Sequence, residues 1–251
     1  MANFKTHIAV SGIAGIGYGV CGYVLGEQPL PTCVLAGGLC AVAGMMPDLD
    51  SGPGVPLRES MALAAAVIPM MLLERFRDLD LSHESMILLT VAVYLLIRFG
   101  GAELLRRFTT HRGMFHSLPA ALIAAELGFL LASGTVPLRI YKAGGMLLGY
   151  VVHLVLDEIY SFEWRRGRLR LKRTFGTAIK LFMPYRWGPN LVTFTALGLL
   201  SYLALYEPGW VDQMRQQRID ARPEQTAEQS RADEARLLEA LRTEELLRRW
   251  H

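Results

Sequence analysis

A chain of 251 residues with 52% apolar residues, a net charge of +3 and three cysteines can form one large domain or two small ones. Its mean hydropathy is positive, and its charge is gathered in a few connectors and in the last 45 residues. This excludes an ordinary soluble globule and predicts an all-α, polytopic transmembrane bundle. Cys21, Cys33 and Cys40 lie in apolar stretches without a C-x-x-C pair, which argues against a disulfide framework or a thiolate zinc site.

The first apolar run, residues 8–26, is long enough to cross most of a ~30 Å hydrocarbon core at ~1.5 Å per residue. Gly12, Gly15, Gly19, Gly22 and Gly26 recur in it at spacings of three and four, a small-residue stripe that lets membrane helices approach closely. It lacks a small-x-small cleavage site, so a retained helix is expected rather than a signal peptide. The second run, 32–46, ends at Pro47-Asp48-Leu49-Asp50 and a Gly/Pro-rich turn. The third, 60–73, contains Pro69 and is short for a span. A charged connector leads to the fourth run, 85–99. Residues 100–117 then carry His111-Arg112-Gly113-Met114-Phe115-His116-Ser117.

The fifth run, 118–132, holds Glu126 in its middle, with Ser117 placed as a helix N-cap. The sixth, 143–159, includes His153 and Asp157. A strongly basic connector, 160–189, precedes the seventh run, 191–206. These runs allow about five to seven spans. The expected organisation is a membrane domain over 1–206 and a charged tail over 207–251 whose last part is an amphipathic helix.

If all seven runs cross, the N-terminus and the connectors holding Asp48, His111 and Arg165 share one side. That side holds 14 of the 26 Lys and Arg, against four in the opposite loops and eight in the tail. The positive-inside bias makes it cytoplasmic. The same side collects His7, Asp48, Asp50, His111, His116, His153 and Asp157. His153 and Asp157, four apart, share a helix face, while His111 and His116, five apart, converge more easily if Gly113 breaks the helix. Four imidazoles and three carboxylates suit a divalent ion, Zn, Mn, Fe or Mg, as one centre or as a bridged pair. Such a centre supports hydrolysis of an ester or phosphoester. Arg112 is placed as an anion clamp, and the catalytic roles are expected at Arg112, His116 and Asp157.

Thr6-His7-Ile8, Pro47 to Asp50, H-R-G-x-x-H-S over 111–117 and G-Y-x-x-H-L-x-x-D over 149–157 resemble the YdjM-like family of bacterial inner-membrane proteins. That family is described as metal-dependent hydrolases. The resemblance covers about the first 160 residues, implies a multi-pass helical fold in the bacterial inner membrane, and implies a metal site on the seven residues above. The expected function is therefore a membrane-bound metal-dependent hydrolase at the cytoplasmic face, acting on a lipid-like ester or phosphoester.

Two other classes compete. An ion- or proton-coupled transporter would use the same cluster and Glu126. A membrane scaffold would bind anionic lipids through residues 165–173 and a protein partner through the tail. Nucleic acid is disfavoured as a partner, because aromatic residues among the basic ones are limited to Phe162, Trp164 and Phe175.

Overall fold

The structure is a computed structural model that describes residues 3–50, 55–101, 103, 113–165, 168–171, 176, 179–184, 187–207 and 236. Among them the chain forms α1 (Phe4–Val24), α2 (Leu30–Ala43), a 3-10 turn (Met46–Asp50), α3 (Val55–Asp78) and α4 (His83–Leu95), which runs into a π turn (Leu96–Gly101). Then follow α5 (Leu118–Leu131), α6 (Val136–Ile159), strands β1 (Phe162–Arg165) and β2 (Arg168–Leu171), and α7 (Trp187–Leu205). Met1–Ala204 is one compact unit and Leu205–His251 a second. The amphipathic helix expected near the C-terminus lies outside the described residues.

The protein is a helical membrane protein. α1, α4 with its π turn, α6 and α7 are long and apolar enough to cross a membrane. α2 and α5, 14 residues each, extend only about 21 Å. α3 has 24 residues, more than its apolar run, because Arg58-Glu59 and Glu74 to Asp78 continue the helix at both ends. Outward-facing side chains such as Ile13, Ile16, Leu88 and Leu191 are about 70% exposed, an apolar surface suited to lipid.

At the centre, α2 packs against both α1 and α6, α1 touches α6, and α5 lies along α6. The contacts of α2 with α1 and α6 bring backbone against backbone. A Cβ on Gly37 would stand 2.7 Å from the Gly15 carbonyl oxygen, and one on Gly145 would stand 2.5 Å from the Ala36 carbonyl oxygen. One on Gly149 would run into the Cys40 carbonyl carbon at 2.7 Å. The glycine stripe of α1 is used only in part. Gly15 and Gly19 meet α2 and Gly22 meets Tyr141, whereas a Cβ on Gly12 would meet nothing within 4 Å. Tyr18 and Tyr141 tie α1 to α6 reciprocally, each hydroxyl donating to the other residue's carbonyl at 2.9 Å.

The turn between α5 and α6 uses Gly134 at φ +99°, a left-handed conformation that suits glycine. Arg139 and Lys142, expected in a loop here, lie in the first two turns of α6 and are buried. Arg139 donates to the Phe129 carbonyl from Nε at 3.1 Å and Nη2 at 3.0 Å. Lys142 Nζ donates to the Ser133 carbonyl at 2.8 Å. Both cations therefore complement the C-terminal end of the α5 dipole, a structural role that removes them from any reckoning of loop charge.

The basic connector contains an antiparallel hairpin, the one departure from helix among the described elements, pairing Phe162 with Leu171 and Glu163 with Arg170. Beyond it, Asn190 closes the entry to α7. Its Nδ2 donates to the Met183 carbonyl at 2.8 Å, and its Oδ1 accepts from the Met183 amide at 3.0 Å.

Replacing Gly149 by Ala should lower stability by about 1–3 kcal/mol through overpacking against Cys40. Gly17→Ala, where a Cβ would meet nothing within 4 Å, should be neutral or gain up to ~1 kcal/mol of helix propensity. Thermal unfolding of both variants in the same micelle measures the difference.

Candidate metal centre

Four separate elements deliver side chains to one buried place. His7 lies in the first turn of α1, where Asn3 caps the helix by accepting from the Thr6 amide at 2.8 Å. Asp48 lies in the 3-10 turn that follows α2. His116 lies in the turn before α5, and its amide donates to the Gly113 carbonyl at 3.3 Å. His153 and Asp157 occupy the last turns of α6. α1 and α5 begin at this place, and α2 and α6 end at it. The set converges because helix directions alternate.

His7, His116, His153 and Asp157 are all buried, and the Asp48 side chain is 19% exposed. His7 Nε2 is 3.3 Å from Asp157 Oδ1, and His116 Nε2 is 3.7 Å from Asp157 Oδ2. His153 Nε2 is 3.7 Å from Asp48 Oδ1 and 3.8 Å from Asp157 Oδ2. The His7 and His153 rings stack at 3.7 Å, and His116 stands edge-on to His153 at 5.6 Å.

One contact orients His153. Its Nδ1 lies 2.7 Å from the Gly44 carbonyl oxygen, which can only accept, so Nδ1 carries a proton, and in the neutral ring Nε2 presents a lone pair. Among the described residues that Nε2 is buried without a hydrogen-bond partner, and it faces two carboxylates. Separations of 3.7–3.8 Å are too long for hydrogen bonds. They are close to the ~3.3 Å edge of a tetrahedron built on bonds of about 2.0–2.1 Å. A neutral His153 so turned would aim its lone pair toward two carboxylates, an arrangement that a cation would bridge, and a backbone carbonyl holding the far nitrogen is the usual support of a metal-binding imidazole. The donor set therefore fits a divalent ion. His7, Asp48 and His153 form one group of mutually close donor atoms, and His116, His153 and Asp157 form another.

His111 and Arg112 lie outside the described residues, as does the Asp50 side chain. Two participants are not among the site residues expected from the sequence. The Gly44 carbonyl is a backbone group. Tyr150, whose hydroxyl donates to the Phe115 carbonyl at 2.5 Å, holds the turn carrying His116; its position one turn before His153 was the available clue. Glu126, by contrast, stands apart from the cluster and accepts a hydrogen bond from Ser201 Oγ of α7.

Ser117 is an N-cap, accepting from the Ala120 amide at 3.3 Å and donating to the Met114 carbonyl. Ser117→Ala should destabilise by about 1 kcal/mol, and Ser117→Asn should recover most of it. Thermal midpoints of the two variants check this.

The family model of the YdjM inner membrane proteins matches residues 1–220. The match runs past Asp157 through the hairpin and α7, farther than the four motifs alone. Neither a curated protein nor a solved structure matches the chain. With most of its length matched, the chain belongs to the YdjM family of inner membrane proteins.

Proposed function

We propose that this protein is a metal-dependent hydrolase whose single divalent ion is held by the His/Asp cluster and which cleaves an ester or phosphoester at the cytoplasmic face of the membrane. The observation that carries the reading is the His153 Nε2 lone pair, buried, oriented by the Gly44 carbonyl and aimed at Asp48 and Asp157. His153, Asp48, Asp157 and His116 are the ligands. His7 donates from Nε2 to Asp157 Oδ1 and sets the orientation of that carboxylate. Asp50, His111 and Arg112 join them in this reading on sequence position, with Arg112 as the anion clamp.

Held by His153, Asp48, Asp157 and His116, a divalent ion would supply an activated water near neutral pH and polarisation of the carbonyl or phosphoryl oxygen under attack. One ion is favoured over two because His153 offers one free nitrogen, shared by both possible donor groups. The cytoplasmic placement rests on the Lys and Arg bias among the connectors. A transporter would need ionisable groups along its path. Here Glu126 is about 15 Å along α5 from His116, and its described hydrogen bond is to Ser201.

Purified protein should hold one equivalent of a divalent metal by elemental analysis and should hydrolyse a chromogenic phosphodiester or ester. His153→Ala should weaken metal affinity by at least ~100-fold and abolish turnover. Metal-free protein from metal-replete cells, or a His153→Ala variant with unchanged metal content, would sink the proposal. Two equivalents would overturn the single-ion arrangement.

A further inference from the structure

Beside the cluster lies an apolar cavity of about 380 Å³ bounded by α2, α3, α5, α6, α7 and the π turn. Its wall is built from neighbours of the proposed ligands. Met46 and Leu49 flank Asp48, Met114 and Phe115 precede His116, and Tyr150 lies one turn before His153. From there it follows one stripe of α5, from Ala120 through Ala124 and Leu127 to Leu131, roughly 16 Å of helix length. The volume is about two and a half times the ~150 Å³ cavity that takes up one benzene, which leaves room for roughly fifteen carbons. An elongated apolar space of this size suits a chain rather than a compact ring system.

The wall carries three hydroxyls among the described residues. Thr193 Oγ1 donates to its own helix at the Pro189 carbonyl, and the Tyr150 hydroxyl donates to Phe115. Ser60 Oγ is different. It is buried, with Ser60 only 7% exposed, and has no hydrogen-bond partner. It lies near the start of α3, the helix that packs on the 3-10 turn bearing Asp48. A buried hydroxyl without a partner is costly in an apolar wall, and this one is positioned for a polar group entering near the cluster.

We propose that the cavity holds one hydrocarbon chain of a membrane lipid, with the ester or phosphoester of its headgroup at the His/Asp cluster and near Ser60. This rests on the hydrolase reading and names its substrate class as a lipid rather than a water-soluble ester. The methionine-rich wall (Met45, Met46, Met61, Met71, Met114 and Met146) is adaptable enough to accept chains of different length.

The test uses the full chain reconstituted in phosphatidylglycerol vesicles doped with phosphatidylglycerol carrying a diazirine at the tip of one acyl chain. Irradiation and mass mapping should place label on Leu127, Leu131 or Met71, as well as on outward residues such as Leu88. Ala64→Phe and, independently, Val67→Trp fill the cavity without touching a proposed ligand. Each should reduce the cavity label about tenfold or more and leave Leu88 labelling unchanged. Label confined to the outward faces of α1, α4 and α7, or cavity label that both filling variants leave intact, would overturn the proposal. Metal content measured on the same samples keeps the two readings apart. Cavity label in protein without an ion supports the chain site and refutes the hydrolase, whereas a bound ion without cavity label does the reverse.

Discussion

The structure depends on the contact between backbones where α6 and α1 press against α2. On α6, Gly145, Gly149, His153 and Asp157 recur every four residues. Ala36, Cys40 and Gly44 do the same on α2, with Asp48 four residues beyond, as do His7, Ser11 and Gly15 on α1. Residues spaced by four form a ridge on a helix surface. Each helix thus presents small residues along its ridge and places its polar group where that ridge ends. Lipid provides no hydrophobic drive for helices to associate, so close van der Waals contact must hold them together. The Gly149 contact with Cys40 brings α2 near enough for the Gly44 carbonyl to reach His153 Nδ1 at 2.7 Å.

The two ends of this bundle treat buried charge in opposite ways. At the α5–α6 turn, Arg139 and Lys142 are buried but matched, each donating to carbonyls at or near the end of α5. Nothing further is needed there. At the other end, His7 reaches Asp157 at 3.3 Å, while His153 Nε2 stands 3.7–3.8 Å from Asp48 and Asp157, farther than a hydrogen bond closes. Burying polar atoms costs free energy unless they are paired. A buried nitrogen such as His153 Nε2, without a hydrogen-bond partner among the described residues, is therefore the observation on which the proposed metal site rests.

Much of this was legible in the sequence because hydropathy marks helices and helix ends mark sides. Assigning His7, Asp48, His116, His153 and Asp157 to one side required only the parity of the apolar runs, and the geometry brings these five together. His116 follows a turn at Met114 and Phe115, and His111 lies outside the described residues. What could not be read depends on tertiary contact. α3 outlasts its apolar run because its polar ends remain helical. Arg139 and Lys142 looked like loop cations because their partners, the Phe129 and Ser133 carbonyls, are backbone groups that carry no residue signature. The Gly44 carbonyl was hidden for the same reason. The hairpin was hidden differently: Phe-Glu-Trp-Arg and Arg-Leu-Arg-Leu alternate with a period of two, but the density of arginine drew attention to charge.

The position of the cluster bears on why a hydrolase and a lipid chain are proposed together. A centre at the helix ends has polar surroundings on one side and the hydrocarbon depth of the bundle on the other. A water-soluble ester would need only the polar side, and an apolar cavity along α5 would then add void volume, at a cost in packing. An amphiphile uses both sides at once, since burial of its chain supplies binding free energy remote from the bond to be broken. That energy can position the headgroup against the proposed ligands. Ser60 lines the cavity near the start of α3, the helix that packs on the 3-10 turn bearing Asp48. The same residues that shape the cavity, Met46, Leu49, Phe115 and Tyr150, also hold the segments bearing Asp48, His116 and His153. A chain filling the cavity would therefore brace the proposed metal ligands from behind.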